Sequence, residues 1–575
     1  MKKSRQILSV LLALVLLAAS VGCGGVTEEE KGQPSGTVTE TTDTDSATET
    51  ENTATETSQS PSDTDEENVT AEIVEYTPKA DRLENISLSN PELDRYSYTA
   101  DSEEGDFDSD FSCTLELEDG SLSGAARLEE NSQASGGSLV DIAGNAETDL
   151  VTVTFTVPAS GLYCITAGCS FPYGEKANNV LIDGANVGEL HGLEQTSDII
   201  ELSLSGIYIA GGEHTLTLSP GWGWWQADYI RITAENGTSA TKTKEKSSEL
   251  CDIYATLEAK MLYQFLQDID GKYTLSGQVG DNGMASNEFI SVYEATGRYP
   301  AILGLDLMSY SPVRAAHGEK CVTVQKAIDY YTNQGGIVTL CWHWTLDSKY
   351  DKEGAEYWRG MYSDYIDLEK LDLTAIVNGE NPEGLEDLYT DIDSIAFYLK
   401  QLQEANVPVL FRPLHEASGG WFWWGAYGAD TYLKLWKLLY TRLVDYHGLH
   451  NLIWVWNGQA ADWYPGDEYC DIVSTDIYPG EKVYSSQAAK YWELNECSDS
   501  YKPIVLSENG CLFDPDLAIR DNALWTWFCT WGGEITTVNG TINEQYTECS
   551  MWDKVYNHTA VITLDELPDL TNYGK

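Results

Sequence analysis

The stretch VPVLFRPLHEASGGWFWWG, residues 407–425, runs from a short apolar segment into an arginine, a histidine and a glutamate, then through paired glycines into a phenylalanine and three tryptophans. An apolar run of this length that stops abruptly on polar groups reads as a buried strand of a parallel sheet, with its functional side chains at the C-terminal end. The same pattern recurs from Cys251 onward in YPAILGLDL, GGIVTLCWHW, NLIWVWN, DIVSTDIY and PIVLSENG. Between these runs lie amphipathic stretches such as IYATLEAKMLYQFLQDI and DTYLKLWKLLYTRLVDY. Strand and helix alternating over about 325 residues predict a parallel α/β fold, and the count suits a (β/α)8 TIM barrel over 250–575. No glycine-rich phosphate loop separates a strand from a helix, which sets a dinucleotide-binding fold aside.

The chain ahead of the barrel reads differently. Residues 71–234 hold short alternating runs between Gly, Asn and Asp turns, among them DLVTVTFTVPASGLYCITAGCS and EHTLTLSPGWGWWQADYIRIT, the pattern of an antiparallel β-sandwich. Residues 235–249, ENGTSATKTKEKSSE, form a linker between the two domains. Residues 24–70 are Thr, Glu, Ser and Asp with almost nothing apolar, a segment expected to stay disordered as a stalk. Residues 1–23 have a basic start, an apolar run and small residues, the layout of an export signal. Cys23 after Gly22 resembles the lipidated cysteine of a bacterial lipoprotein, although Ser20 stands where such signals usually carry Leu. The expectation is an extracellular protein on the cell surface, touching membrane only through that anchor and acting as a monomer.

Ninety-two acidic residues against 34 basic ones give a formal charge of -58, which excludes nucleic acid and favours an uncharged ligand. The twelve cysteines form no CxxC pair, so a zinc ribbon is excluded, and most of them are expected to be small buried hydrophobes.

In a barrel the C-terminal strand ends surround one mouth, so CWHW (341–344), RPLHE (412–416), WVWN (454–457), TDIY (475–478) and LSEN (506–509) are expected to converge there. Glu416 and Glu508 each follow an apolar run, and their separation of about three βα units puts them at the ends of strands four and seven. A single strand-end glutamate is usually an ion-pair partner. Two facing each other across a mouth are what glycoside hydrolysis requires, one to protonate the leaving oxygen and one to attack the anomeric carbon or activate water. Arg412 and His415 supply donors beside Glu416; the Tyr478 phenol is placed to donate to a charged glutamate, and Asp476 to orient one of these partners. Of Trp342, Trp344, Trp421, Phe422, Trp423, Trp424, Trp463 and Trp531, about half are expected to line a sugar-stacking cleft.

Together RPLHEASGGWFWWG, STDIYPG and VLSENG resemble glycoside hydrolase family 26, dominated by endo-β-1,4-mannanases on a (β/α)8 barrel with a retaining mechanism. The likeness runs through about residues 250–575. It implies that Glu416 is the general acid/base and Glu508 the nucleophile, and that no cofactor takes part. It also implies that His343, His415, Trp421, Asp476, Tyr478 and Trp531 line the substrate site, where Arg412 is expected from its place beside Glu416. Glycines follow Trp531 where some members carry a polar or basic residue. The family also contains β-1,3-xylanases and mixed-linkage β-glucanases, and a non-catalytic sugar-capturing lipoprotein is the reading from another class. CTLELEDGSLSG, NNVLIDG and WGWWQADYIRIT resemble a family 35 carbohydrate-binding module. That likeness implies a structural Ca²⁺ on Glu116, Glu118 and Asp228, with Trp222, Trp224, Trp225, Asn178 and Asn179 as sugar contacts. Strand alternation sends at least one of these tryptophans into the core. The expected partner is a β-mannan polysaccharide.

Overall fold

Val151–Val157, VTVTFTV, buries its valines and phenylalanine and turns its threonines outward, the two-residue period of a strand with one face on a core. This strand belongs to the first domain of a computed structural model. The structure describes residues 107–574 apart from 143, 145–147, 175, 193–194, 223, 238–243, 245 and 247–248. The export signal, Cys23, the 24–70 stalk and residues 71–106 lie outside the described residues.

The domain is an antiparallel sandwich. One sheet runs in the order Arg127–Glu130, Ser138–Ile142, Trp225–Gly237, Gly161–Phe171, Thr196–Ile209, with Ser112–Glu116 also pairing Trp225–Gly237. The other runs Ser121–Leu122, Val151–Val157, Gly212–Trp222, Lys176–Ile182, Ala185–Gly192. Val153 and Phe155 from one sheet meet Ile165, Phe171 and Trp225 from the other in a single apolar core. The expected linker start at 235 falls inside the strand Trp225–Gly237, and farther along it Lys244 and Lys246 are tied to the barrel: their ammonium groups donate to the carbonyls of Ser498 at 2.6 Å and Gln267 at 2.5 Å.

The second domain is a closed barrel of eight parallel strands: Gly277–Val279, Ile302–Asp306, Ile337–Trp342, Val409–Pro413, Leu452–Trp456, Ile472–Ile477, Ile504–Asn509 and Phe528–Thr530. Their side chains are almost wholly buried, as expected where a barrel interior lies on one side and helices on the other. Helices fill the crossovers. The longest, Pro382–Glu404, starts where the sequence signals it, with Asn381 accepting from Gly384 N and proline in the first turn. Among the described residues no helix is long and apolar enough to cross a membrane, and the eleven cysteines are all free.

The tryptophan-rich loop after strand four departs from the expected cleft wall. Trp342, Trp344, Phe422, Trp423 and Trp424 are fully buried and Trp463 nearly so. Their indole N–H groups are satisfied inside: Trp424 donates to His415 O and Trp423 to Trp344 O, both at 2.8 Å, and Trp344 to Asp391 at 2.7 Å. Rings stack with centroids 4.2 Å apart in Trp342–Trp344 and 4.4 Å in Phe422–Trp424. The loop turns tightly because a Cβ at Gly425 would stand 1.9 Å from Ala417 O, and one at Gly419 would stand 2.0 Å from the Trp421 ring. Most of the aromatic wealth is therefore a rigid support beneath the mouth, leaving Trp421 half-buried at the mouth and Trp531 on its cavity wall.

Candidate active site

Strand four ends at Pro413, and the next three residues take the chain over the barrel mouth with Leu414 and Glu416 both left-handed, at φ 51° and 54°. Non-glycine residues are uncommon there and are held by their surroundings. Here the Glu416 N–H donates to Asn457 O at 2.7 Å and Asn457 Oδ1 at 3.0 Å. Glu416 is 4% exposed, and its carboxyl accepts a hydrogen bond from Trp421 Nε1 at 2.9 Å through Oε2. Burial, then the negative charges of Asp476 and Glu508, push its pKa well above the usual carboxylate range, against the opposing effects of Arg412 and Trp421.

Glu508, from the end of strand seven, has a different environment. Its Oε1 takes a hydrogen bond from Arg412 Nη2, and Tyr478 OH donates to Oε2 at 2.7 Å. Arg412 also donates through Nη1 to Asp476 Oδ2 at 2.8 Å, so one buried guanidinium serves two carboxylates. The remaining Asp476 oxygen accepts from Ser507 Oγ at 2.7 Å and Asn457 Nδ2 at 2.8 Å. Carboxylate oxygens of Glu416, Asp476 and Glu508 lie within 4.8 Å of one another. That closeness agrees with the short spacing of a retaining glycosidase, about 5 to 5.5 Å, rather than the roughly 6.5 to 9.5 Å of an inverting pair. The arrangement sets a carboxyl whose pKa is pushed up beside one held by a cation and a phenol.

His343, after strand three, lies on the same mouth. Its Nδ1 is bonded to Asp306 Oδ2 at 2.5 Å, its backbone N–H donates to Asp306 Oδ1 at 3.1 Å, and its Nε2 faces His415 Nε2 at 3.1 Å. Burial, with the charges of His343 and Arg412, drives the His415 pKa well down, so that ring is neutral. Trp531 is 7% exposed with its indole N–H unpartnered, and it lines a cavity with His343, Asp306, Tyr362, Asp281 and Glu288. Glu416, Glu508, His343, Arg412, His415, Trp421, Asp476, Tyr478 and Trp531 thus meet at one mouth. Asp306 and Tyr362 were not named, and Asn457 was expected at the mouth only as the end of WVWN, without a role. Asp306 and Asn457 stand at the ends of quoted strands, which was their available signal; Tyr362 lies in a loop with none.

The sandwich presents a second set. Oxygens of Glu116, Glu118 and Asp228 lie within 4.8 Å of one another, and Glu118 Oε2 is buried without a partner. Ser135 links the other two, donating from Oγ to Glu116 at 2.6 Å and from N to Asp228 at 3.1 Å. Three hard oxygen donors, one of them orphaned, fit a Ca²⁺ ion. Trp224 is 54% exposed beside Tyr173, 65% exposed, with near-perpendicular rings 6.1 Å apart. Trp225 is buried in the core, stacked on Phe171, and Asn178 is buried on the same inward face as Val180 and Ile182. Neither reaches a ligand surface, because the two-residue period turns both inward. Asn179 faces the other way and accepts from Asn186 at 3.3 Å; the Trp222 side chain lies outside the described residues.

Comparison with known proteins agrees with this geometry. The model of glycosyl hydrolase family 26 matches residues 251–566, and that of carbohydrate binding module family 35 matches residues 113–235. A mannan endo-1,4-β-mannosidase of Thermothelomyces thermophilus is 35% identical over 79% of this chain and 90% of its own. Mannan endo-1,4-β-mannosidase B of a Piromyces species is 33% identical over 73% of this chain and 71% of its own. The crystal structure of a Podospora anserina GH26-CBM35 β-(1,4)-mannanase aligns with a TM-score of 0.53 at 32% identity, over 80% of this chain and 99% of that one. A barrel mouth carrying two buried glutamates, a family model that spans the barrel and a solved relative named for both domains lead to one conclusion: the chain belongs to glycosyl hydrolase family 26, with a family 35-like carbohydrate-binding module ahead of its catalytic barrel.

Proposed function

We propose that the chain is a retaining endo-β-1,4-mannanase in which Glu508 is the nucleophile and Glu416 the general acid/base. The observation that carries this reading is the contrast between two neighbouring buried carboxyls, one held by Arg412 and Tyr478 and the other pushed toward its protonated form. Glu508 attacks the anomeric carbon while the Glu416 proton passes to the departing glycosidic oxygen. Once Glu508 is esterified its negative charge is gone, and with it one of the influences that raised the Glu416 pKa. Glu416 then takes a proton from water, which attacks the glycosyl ester and releases the product with its original anomeric configuration. Arg412 and Asp476 keep Glu508 in place, His343, His415 and Trp531 line the cleft for the sugar, and Trp421 holds the Glu416 carboxyl.

The mannan substrate rests on the names of the relatives and on the chain's acidity, which suits a neutral polymer. In the module, Trp224 is the proposed sugar platform, and Glu116, Glu118 and Asp228 would hold a structural Ca²⁺ that neutralises their charge. We further propose that residues 1–23 are a lipoprotein signal with Cys23 lipidated, that 24–70 is a stalk and 235–249 the interdomain linker. On this reading 71–234 and 250–575 are the two domains, and the enzyme works as a monomer at the outer surface of a bacterium. The test is product analysis on mannan, galactomannan, β-1,3-xylan and mixed-linkage glucan. Internal cleavage of the two mannans alone is expected; cleavage of xylan or glucan in preference would overturn the substrate, and binding without cleavage would overturn the enzyme.

A further inference from the structure

Asn457 follows strand five, fully buried, and every polar atom of its side chain is engaged. Oδ1 accepts from Glu416 N at 3.0 Å, and Nδ2 donates to Asp476 Oδ1 and Ser507 Oγ, both at 2.8 Å. Its carbonyl oxygen takes the same Glu416 N–H at 2.7 Å. The amide has one workable orientation. Reversed, its NH₂ would face the Glu416 N–H and its oxygen would face the Asp476 carboxylate.

This one side chain therefore joins two otherwise separate supports. On one side is the left-handed backbone of Glu416, φ 54°, which needs an external hold. On the other is Asp476, whose second oxygen fixes Arg412, which in turn grips Glu508. We infer that Asn457 is a positioning residue for hydrolysis, a strut that sets the distance between the two catalytic carboxyls by tying the main chain of one to the ion-pair support of the other. It touches neither reacting oxygen. The inference rests on the assignment of Glu416 and Glu508 as the reacting pair.

Two variants of the full chain test it, with kcat and KM measured on manno-oligosaccharides over about pH 4 to 8. Asn457→Ala removes both arms, and a carboxyl displaced by about an ångström lowers kcat roughly 100-fold with KM little changed. Asn457→Asp keeps the shape and the acceptor for Glu416. Its carboxyl faces Asp476, Glu416 and Glu508 as negative groups and Arg412 as the cation. Protonated, it donates to Asp476 as the amide did; ionised, it sets two carboxylates against each other. Activity in Asn457→Asp is thus expected to recover toward wild type as pH falls and to collapse as pH rises, a profile that a packing role does not produce. Wild-type kcat in Asn457→Ala, wild-type kcat in Asn457→Asp across the whole pH range, or a loss in Asn457→Asp that is the same at every pH overturns the proposal. Should Asn457→Ala fail to fold, the isosteric Asn457→Asp decides alone. Undiminished turnover in Glu416→Gln or Glu508→Gln overturns the parent assignment instead, so the two failures are distinguishable.

Discussion

The indole N–H of Trp421 donates to Glu416 Oε2 at 2.9 Å, and the Trp421 ring lies so close over Gly419 that no side chain fits there. A ring at the rim of the cleft is thereby also the donor that keeps the proposed acid in one rotamer. A hydrogen bond to a carboxylate favours its charged form, so losing the bond raises the pKa. Trp421→Phe keeps a ring and removes the donor. The Glu416 pKa, already high from burial and from the charges of Asp476 and Glu508, is expected to rise further, and the alkaline limb of kcat/KM to move to higher pH. An unmoved limb with lower kcat would show that the bond only orients the carboxyl.

Glu416→Ala and Glu508→Ala are expected to separate by substrate. Without Glu416, hydrolysis of mannan falls roughly 10² to 10⁴-fold, the usual worth of a general acid, while an aryl mannoside whose leaving group needs no protonation still forms the glycosyl-enzyme. Without Glu508 both substrates fail. Measuring kcat/KM, which reports formation of the glycosyl-enzyme, for each variant on mannan and on a dinitrophenyl mannoside checks this; equal losses of kcat/KM on the two substrates in Glu416→Ala contradict the acid role.

Asp306 holds His343 through both carboxylate oxygens. Burial opposes its ionisation, but the charge and hydrogen bonds of His343 outweigh burial, so its pKa lies below the usual value. A lowered carboxylate pKa contributes stability above the unfolded-state value, about 3.9 for Asp, and loses it as pH falls through the folded-state value. Asp306→Asn is expected to unfold about 1.5 to 3 kcal/mol more easily at neutral pH, the range for hydrogen bonds to charged groups. The gap from wild type should close on the acid side. Urea unfolding at several pH values gives the comparison, and a gap that widens below about pH 4 contradicts it.

In the module, neighbouring tryptophans should fail in different ways. Trp224→Ala removes an exposed ring and is expected to leave the melting temperature unchanged while releasing the protein from insoluble mannan. Trp225→Ala empties a core site packed on Phe171 and should cost about 3 to 5 kcal/mol. Calorimetry together with pull-down on mannan separates the two, and a Trp224→Ala that binds as tightly as wild type removes that ring from the site.

The architecture was largely legible, and the reason is periodicity. Alternation over Val151–Val157 and apolar runs ending at Glu416, Tyr478 and Asn509 encode strand type, strand order and the face on which the polar ends gather. The two glutamates were legible only as a pair, because each closes an apolar run and about three βα units separate them, the spacing of facing strand ends. Burial within the aromatic loop was not. Nothing local distinguishes Trp423, whose N–H finds Trp344 O from a loop 79 residues away, from Trp421, which stays at the rim. Asn457 was expected at the mouth but not its partners, since it bonds Glu416 and Asp476, 41 and 19 residues distant along the chain. Asn178 broke the pattern outright: an asparagine on the inward face, with both polar side-chain atoms buried and unpartnered, defies the expectation that such groups face water or a ligand.

The central claim is that Glu508 forms a covalent bond to sugar while Glu416 supplies and recovers the proton. A 2-deoxy-2-fluoro mannoside with a good leaving group slows release of that intermediate, and peptide mass spectrometry then locates the label. The account predicts one glycosyl adduct, on the peptide containing Glu508, formed in wild type and absent in Glu508→Gln. An adduct on Glu416 or elsewhere, or products whose first-formed anomer is inverted, would contradict it.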